Sequence, residues 1–182
     1  SLLPSKVGSP LSIKSLKEDL EVAHTTVTRW LNYFEQLYYF FQIRPYSKRV
    51  IRSLKKEPKI YLFDWSEIED DGAKFENIIA SHLLKGCNYW TDIGAANLEL
   101  YYLRNKEKQE VDFVIIKNKK PWFTVEAKLS DAHLDPNFKS FQKTLQIPHF
   151  QIVATPGINK KFSHEGFNAS IISFADFFVH WP

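Results

Sequence analysis

Methionine is absent, cysteine occurs once, and no stretch approaches the roughly 18 apolar residues that a membrane-spanning helix needs. The lone Cys87 rules out an internal disulfide and fits a reducing compartment; at the end of a helical apolar pattern it reads as a small buried residue rather than a reactive thiol. The N-terminus lacks a basic segment followed by an apolar one, so no secretory leader is expected, and a cytoplasmic location without membrane contact is the default. The missing methionine, at position 1 as elsewhere, predicts a piece of a longer or processed chain. Internal repeats and low-complexity tracts are also lacking, which sets aside repeat architectures.

What is present is ordinary globular material, 44% hydrophobic and 25% charged, enough for one large domain or two small ones. The formal charge of +3 is uneven: residues 1–65 hold 11 Lys/Arg against 6 Asp/Glu, whereas residues 66–182 hold 13 against 15. A basic front suits a nucleic-acid-facing module, although plain solvated surfaces carry such charges too.

Residues 1–10 contain a leucine pair among turn formers and read as a frayed end. Ser12 can cap a helix with Ile13, Leu16 and Leu20 on one face; after a break at 21–24, Thr25 or Thr26 can cap a second, with Val27, Trp30, Leu31, Phe34 and Leu37 at spacings of three and four. The outward side of this second helix shows Thr28, Arg29 and Asn32, residue types that hydrogen-bond phosphates or base edges. LYYFFQIRPY then reads as a strand, SKRVIRSLKKEPK as a basic excursion and IYLFD as a returning strand. Two helices and a two-stranded ribbon describe a winged helix over residues 1–65, its wing bearing Lys48, Arg49, Arg52, Lys55 and Lys56. DNA contact, docking of a protein, and simple solvation of these charges are all compatible with the pattern.

The acidic stretch SEIEDDG reads as a linker, placing a second domain at residues 66–182. It opens with a helix, AKFENIIASHLLKG, which carries Glu76 in its first turns and which Gly86 is expected to close. Tyr89–Asp92 and Leu98–Leu103 then read as strands around a turn at Gly94, Asp135–Leu145 as a helix, Phe150–Ala154 as a buried strand and Ile171–Phe178 as a strand or helix, so the class is α/β (α+β).

Between these lies Glu110–Ser130, EVDFVIIKNKKPWFTVEAKLS, two strands joined by a short polar loop. Side chains alternate along a strand, so Glu126 and Lys128 share a face. With a three-residue loop, Asn118–Lys120, Asp112 falls opposite Glu126; with four residues it turns to the other face. The first register groups Val111, Phe113, Ile115, Phe123, Val125 and Ala127 on an apolar side and both carboxylates with the lysine on the other, and is favoured for that reason. Two adjacent carboxylates call for a cation, and a hard divalent ion such as Mg²⁺ suits oxygen donors; with Lys128 beside it, phosphodiester hydrolysis is the implied chemistry. Glu-x-Lys alone is weak evidence, for it occurs twice, at Glu57–Lys59 and at Glu126–Lys128, and only the second follows an aspartate-bearing strand. The bland alternative is a surface ion pair contributing about 0 to 1 kcal/mol.

The order of Glu on a helix, Asp on a strand and Glu-x-Lys on the next strand resembles the PD-(D/E)XK nuclease superfamily. The combination of winged helix, GAKFENIIASHLL, EVDFVI and VEAKLS more closely resembles the C-terminal domain of a family of prokaryotic AAA-type ATPases. That resemblance implies a restriction-endonuclease-like αβββαβ core with a mixed sheet flanked by helices. It implies Asp112, Glu126 and the Ala127 carbonyl as ligands of Mg²⁺ or Mn²⁺, Lys128 as a catalytic residue and Glu76 in support. It also implies DNA and an upstream ATPase module as partners, with self-association left open; ATP would belong to that module, because no Gly-x-x-x-x-Gly-Lys occurs here. Val111 stands where the superfamily motif has proline. A nuclease, a non-cutting binding or regulatory module of the ATPase, and a transcription regulator are the functional classes this leaves, the last leaving the acidic set unexplained.

Overall fold

Five α-helices and eight β-strands, the strands forming one mixed sheet, are the main elements of the described part of the computed structural model, which comprises residues 2–47, 57–130, 133–164, 167–179 and 181. Helices α1 (Ile13–Leu20) and α2 (His24–Gln36) precede strands β1 (Phe40–Pro45) and β2 (Lys59–Leu62). Helix α3 (Asp71–Asp92) leads into β3 (Leu98–Arg104), β4 (Glu110–Lys117) and β5 (Lys120–Lys128), followed by α4 (Phe138–Leu145) and β6 (His149–Val153). This is the expected αβββαβ order and mixed α/β class; β7 (Asn159–His164), β8 (Phe167–Ser173) and α5 (Phe174–Phe178) extend it. The strand order is β2-β1-β3-β4-β5-β6-β8-β7, with parallel pairs at β1–β3, β5–β6 and β6–β8. Among the described residues no helix is long and apolar enough to cross a membrane.

The front ribbon does not stand clear of this sheet. Arg44 and Pro45 of β1 pair with Tyr101 and Tyr102 of β3, and all four residues of β2 are buried. Phe40, Ile43, Ile60 and Leu62 share one apolar core with Ile79 and Leu83 of α3 and with Phe113 and Val125 of the hairpin. Buried Asn77 of α3 accepts a hydrogen bond from the Leu62 N–H (2.7 Å) and donates one to the Leu62 carbonyl (2.8 Å), satisfying both main-chain groups at the end of β2. The expected wing residues Lys48, Arg49, Arg52, Lys55 and Lys56 lie outside the described residues.

Local signals explain several elements and mislead at others. Ser12 caps α1 as expected, accepting from the Ser15 N–H, but α2 begins at His24 behind Ala23, with Thr25 and Thr26 inside it. Residues 4–6 form a 3₁₀ turn with Leu3, Val7 and Leu11 buried, so this end is packed rather than frayed. Helix α3 runs through Gly86 to Asp92 and takes up the stretch read as a strand at Tyr89–Asp92. Gly86 makes room for Trp181: a Cβ there would overlap the indole, whose Nε1–H donates to the His82 carbonyl at 3.1 Å. Helix α4 starts at Phe138, later than the expected Asp135.

The hairpin reaches the expected register by a different route. Its loop has two residues, Asn118 and Lys119, at φ +50° and +68°, the left-handed pair of a type I′ turn. Lys117 therefore pairs with Lys120 and Ile116 with Pro121, which alone would turn Asp112 away from Glu126. A bulge follows, and Ile115 pairs with Phe123 and Phe113 with Val125, restoring the register in which Asp112 and Glu126 meet.

Candidate functional site

Past Phe113 and Val125 the β4–β5 ladder is continued by side chains. The Asp112 N–H donates to Glu126 Oε2 at 3.3 Å, and the Ala127 N–H donates to Asp112 Oδ2 at 3.0 Å. Each carboxylate thus takes a main-chain donor from the opposite strand, which holds the two acids together where the sheet splays. They stand beside a cleft of about 670 Å³ lined by Gly8, Asp70, Glu76, Asp112, Ala127 and Lys128, among others; Glu126 lies behind this wall, its side chain only 7% exposed.

Lys128 is held on two sides, its Nζ 2.9 Å from Glu126 Oε1 and 3.0 Å from Asp135 Oδ2. Buried Gln151 fixes the segment before α4, its Oε1 accepting from the Asp135 N–H and its Nε2 donating to the His133 carbonyl, both at 2.9 Å. Burial works to lower the Lys128 pKa, but Glu126 and Asp135 more than offset it, so the amine is held above its ordinary value and stays charged.

Sequence reasoning missed the most buried charge of the site. Lys59, 1% exposed, comes from the other Glu-x-Lys and reaches Glu110 (2.6 Å), Glu76 (3.2 Å) and Asp112 (3.5 Å). Tyr61, two residues on and on the same side of β2, donates to Glu76 Oε1 at 2.7 Å. The Tyr102 hydroxyl donates to the Glu57 carbonyl at 2.8 Å, and its ring lies 5.6 Å from Lys59 Nζ. Gly8, at φ +73°, passes so close to Glu76 that a Cβ would sit 3.0 Å from Oε2. The available signal was a lysine opening the apolar strand Lys59–Leu62, which places its charge against the core; the sequence reading left Lys59 at the end of the basic excursion.

The carboxylates outnumber their cations. Glu76, Glu110, Asp112, Glu126 and Asp135 face Lys59, Lys128 and, on Glu110, Arg104 at 3.1 Å. Burial, followed by the charge of Asp112, pushes Glu76 up to about 7 and Glu126 up to about 8. Lys59 stays protonated: burial opposes this, but Glu76, Asp112 and Glu110 together raise it. Hard oxygen donors with an uncompensated negative charge beside an open cleft fit Mg²⁺ or Mn²⁺ in chemistry. Asp112, Glu126 and Ala127, with Glu76 adjacent, are the residues that would hold it. Among the described residues, however, no three His, Cys, Asp or Glu side chains converge as a ready-made metal site, and the two ammonium groups lie between the acids.

Of the residues expected to meet DNA, Arg29 and Asn32 are exposed on α2 and Thr28 is half-buried, its hydroxyl donating to the His24 carbonyl at 3.0 Å. None of the three lines the cleft.

A family model described as a domain of unknown function (DUF8612) matches residues 1–66, and one described as a domain of unknown function (DUF4143) matches residues 71–174. No curated protein matches the chain. Among solved structures it is similar to a chain of the refined half-complex from a tetradecameric assembly of Thermococcus gammatolerans McrB AAA+ hexamers with bound McrC. The TM-score is 0.42 and the identity 12%, over 57% of this chain and 28% of that one.

Proposed function

Since the chain belongs, through residues 71–174, to the family described as a domain of unknown function (DUF4143), we propose that it is the nuclease-like C-terminal part of an AAA-type ATPase, cutting DNA with Mg²⁺ or Mn²⁺. The observation that carries this reading is the pair Asp112 and Glu126, cross-bonded at the ends of β4 and β5, with Lys128 on the adjoining cleft. A divalent ion bound there supplies positive charge to the phosphate and a more acidic water. Asp112 and Glu126, held by opposing main-chain donors, keep their oxygens in place without reorganisation. Lys128 stays charged and offers a fixed positive group for negative charge developing on phosphate oxygens, not a base. Glu76, held by Tyr61 and Lys59, adds an acid on the cleft wall. The family's usual position C-terminal to AAA ATPases supports an upstream ATPase module as the partner that uses ATP. Contact with DNA is assigned to Thr28, Arg29 and Asn32 and to the basic residues Lys48, Arg49, Arg52, Lys55 and Lys56.

The test is cleavage of plasmid and branched DNA by the full-length protein with Mg²⁺, Mn²⁺ or EDTA. Cutting should require the ion and disappear in both Asp112→Ala and Glu126→Ala; equal activity in the variants would sink the proposal. A second reading, a non-cutting regulatory module, is favoured by the Glu126–Lys128 ion pair. Salt-sensitive DNA binding without cleavage under either metal would establish it.

A further inference from the structure

Lys59 belongs to the front of the chain, within residues 1–66, yet its ammonium occupies the acidic site of the core. Its three contacts are unequal. Glu110 is held at 2.6 Å, while Glu76 at 3.2 Å and Asp112 at 3.5 Å are progressively looser. The two looser partners line the cleft, and Glu110 does not. Lys59 itself is 1% exposed, so water cannot replace those carboxylates as its partners. A cation entering from the cleft meets Asp112 and Glu76 first and competes with the ammonium for them. Glu110, anchored by Arg104, and the nearby Tyr102 ring give Lys59 somewhere to remain.

We propose that Lys59 is a built-in competitor of the divalent cation at this site: its ammonium neutralises Asp112 and Glu76 when no ion is bound and withdraws towards Glu110 when one enters. This rests on the reading of Asp112 as a metal ligand. It makes Lys59 a positioning residue, since it acts through the carboxylates and lies behind the cleft. It also lets the front ribbon set cation affinity, because a shift of β2 relative to β4 moves the competing charge.

The experiment is Mn²⁺ binding to the whole protein, by calorimetry and by loss of the free-ion electron paramagnetic resonance signal, without DNA. Lys59→Gln should bind Mn²⁺ at least tenfold more tightly than wild type. Glu110→Gln should bind it severalfold more weakly, because Lys59 is then left to Asp112 and Glu76. In the Lys59→Gln background the Glu110→Gln effect should largely vanish, which a general loss of negative charge would not produce. Wild-type binding that Asp112→Asn abolishes, together with equal or weaker binding by Lys59→Gln, overturns the competitor role and leaves the metal reading standing. Absence of binding in both wild type and Lys59→Gln overturns both. Should Lys59→Gln fail to fold, the wild-type protein decides: the side-chain ¹⁵N resonance of Lys59 should shift on saturation with diamagnetic Mg²⁺, and an unchanged resonance overturns the role.

Discussion

Stacked on Phe138 with ring centroids 4.3 Å apart and planes 6° from parallel, His149 is 1% exposed, its Nδ1 3.0 Å from Thr124 Oγ1. Burial lowers its pKa from 6.5 to about 3, outweighing the pull of Asp135. Between those two values the unfolded chain carries a proton on His149 that the native state does not, so this residue makes stability fall as pH drops below 6.5. His149→Phe keeps the ring and removes the titration. Denaturant unfolding should show the stability of wild type relative to His149→Phe falling by about 2 kcal/mol from pH 7 to pH 5; a constant difference contradicts the assignment. Charge at the site points to a second pair of outcomes, in chelated buffer at pH 8.5. Lys59→Gln should cost about 3 kcal/mol, because it leaves three partly buried carboxylates without their cation, whereas Asp112→Asn should leave the melting temperature unchanged or raise it by relieving Glu76 and Glu126. Residue identity made Asp112 and Glu126 legible; Glu110 and the cation it shares with Glu76 and Asp112 were not, because the partners of Lys59 are 17 to 53 positions away.

Elements show where local rules were overruled. Glycine after an apolar helical pattern ordinarily ends a helix, but Gly86 continues α3 because Trp181 lies where its side chain would be. Helix propensity alone predicts that Gly86→Ala gains about 1 kcal/mol. The indole contact predicts a loss instead, about 1–3 kcal/mol by overpacking, and a gain once Trp181→Ala is also present; thermal unfolding of the double-mutant set distinguishes the two. The hairpin is a similar case. Asn118-Lys119 lacks the glycine that usually announces a two-residue turn, and the compensating bulge before Phe123 has no local signature, although the apolar alternation still selected the final register.

At the scale of the molecule, the front ribbon and the rear core share one hydrophobic cluster, the Asn77–Leu62 hydrogen bonds and the Lys59 ion pairs. The full chain should therefore unfold in one transition followed alike by circular dichroism and tryptophan fluorescence. Residues 66–182 expressed alone should lose cooperative unfolding, having left Glu76, Glu110 and Asp112 without Lys59 and the apolar face of α3 partly uncovered; a sharp transition at the full-length temperature would show the two parts to be independent. Glu76 was joined to the site only by the family resemblance; what the sequence by itself determined was the α/β class, the order of most elements, the strand register and the pair Asp112 and Glu126. Those follow from alternation, periodicity and residue type within a few positions of one another. Only the tertiary structure decided that β1 joins β3, that α3 passes Gly86 and that Lys59 completes the site. Each depends on a contact between distant segments, whose closeness is set by the burial of the whole core and leaves no local pattern to read.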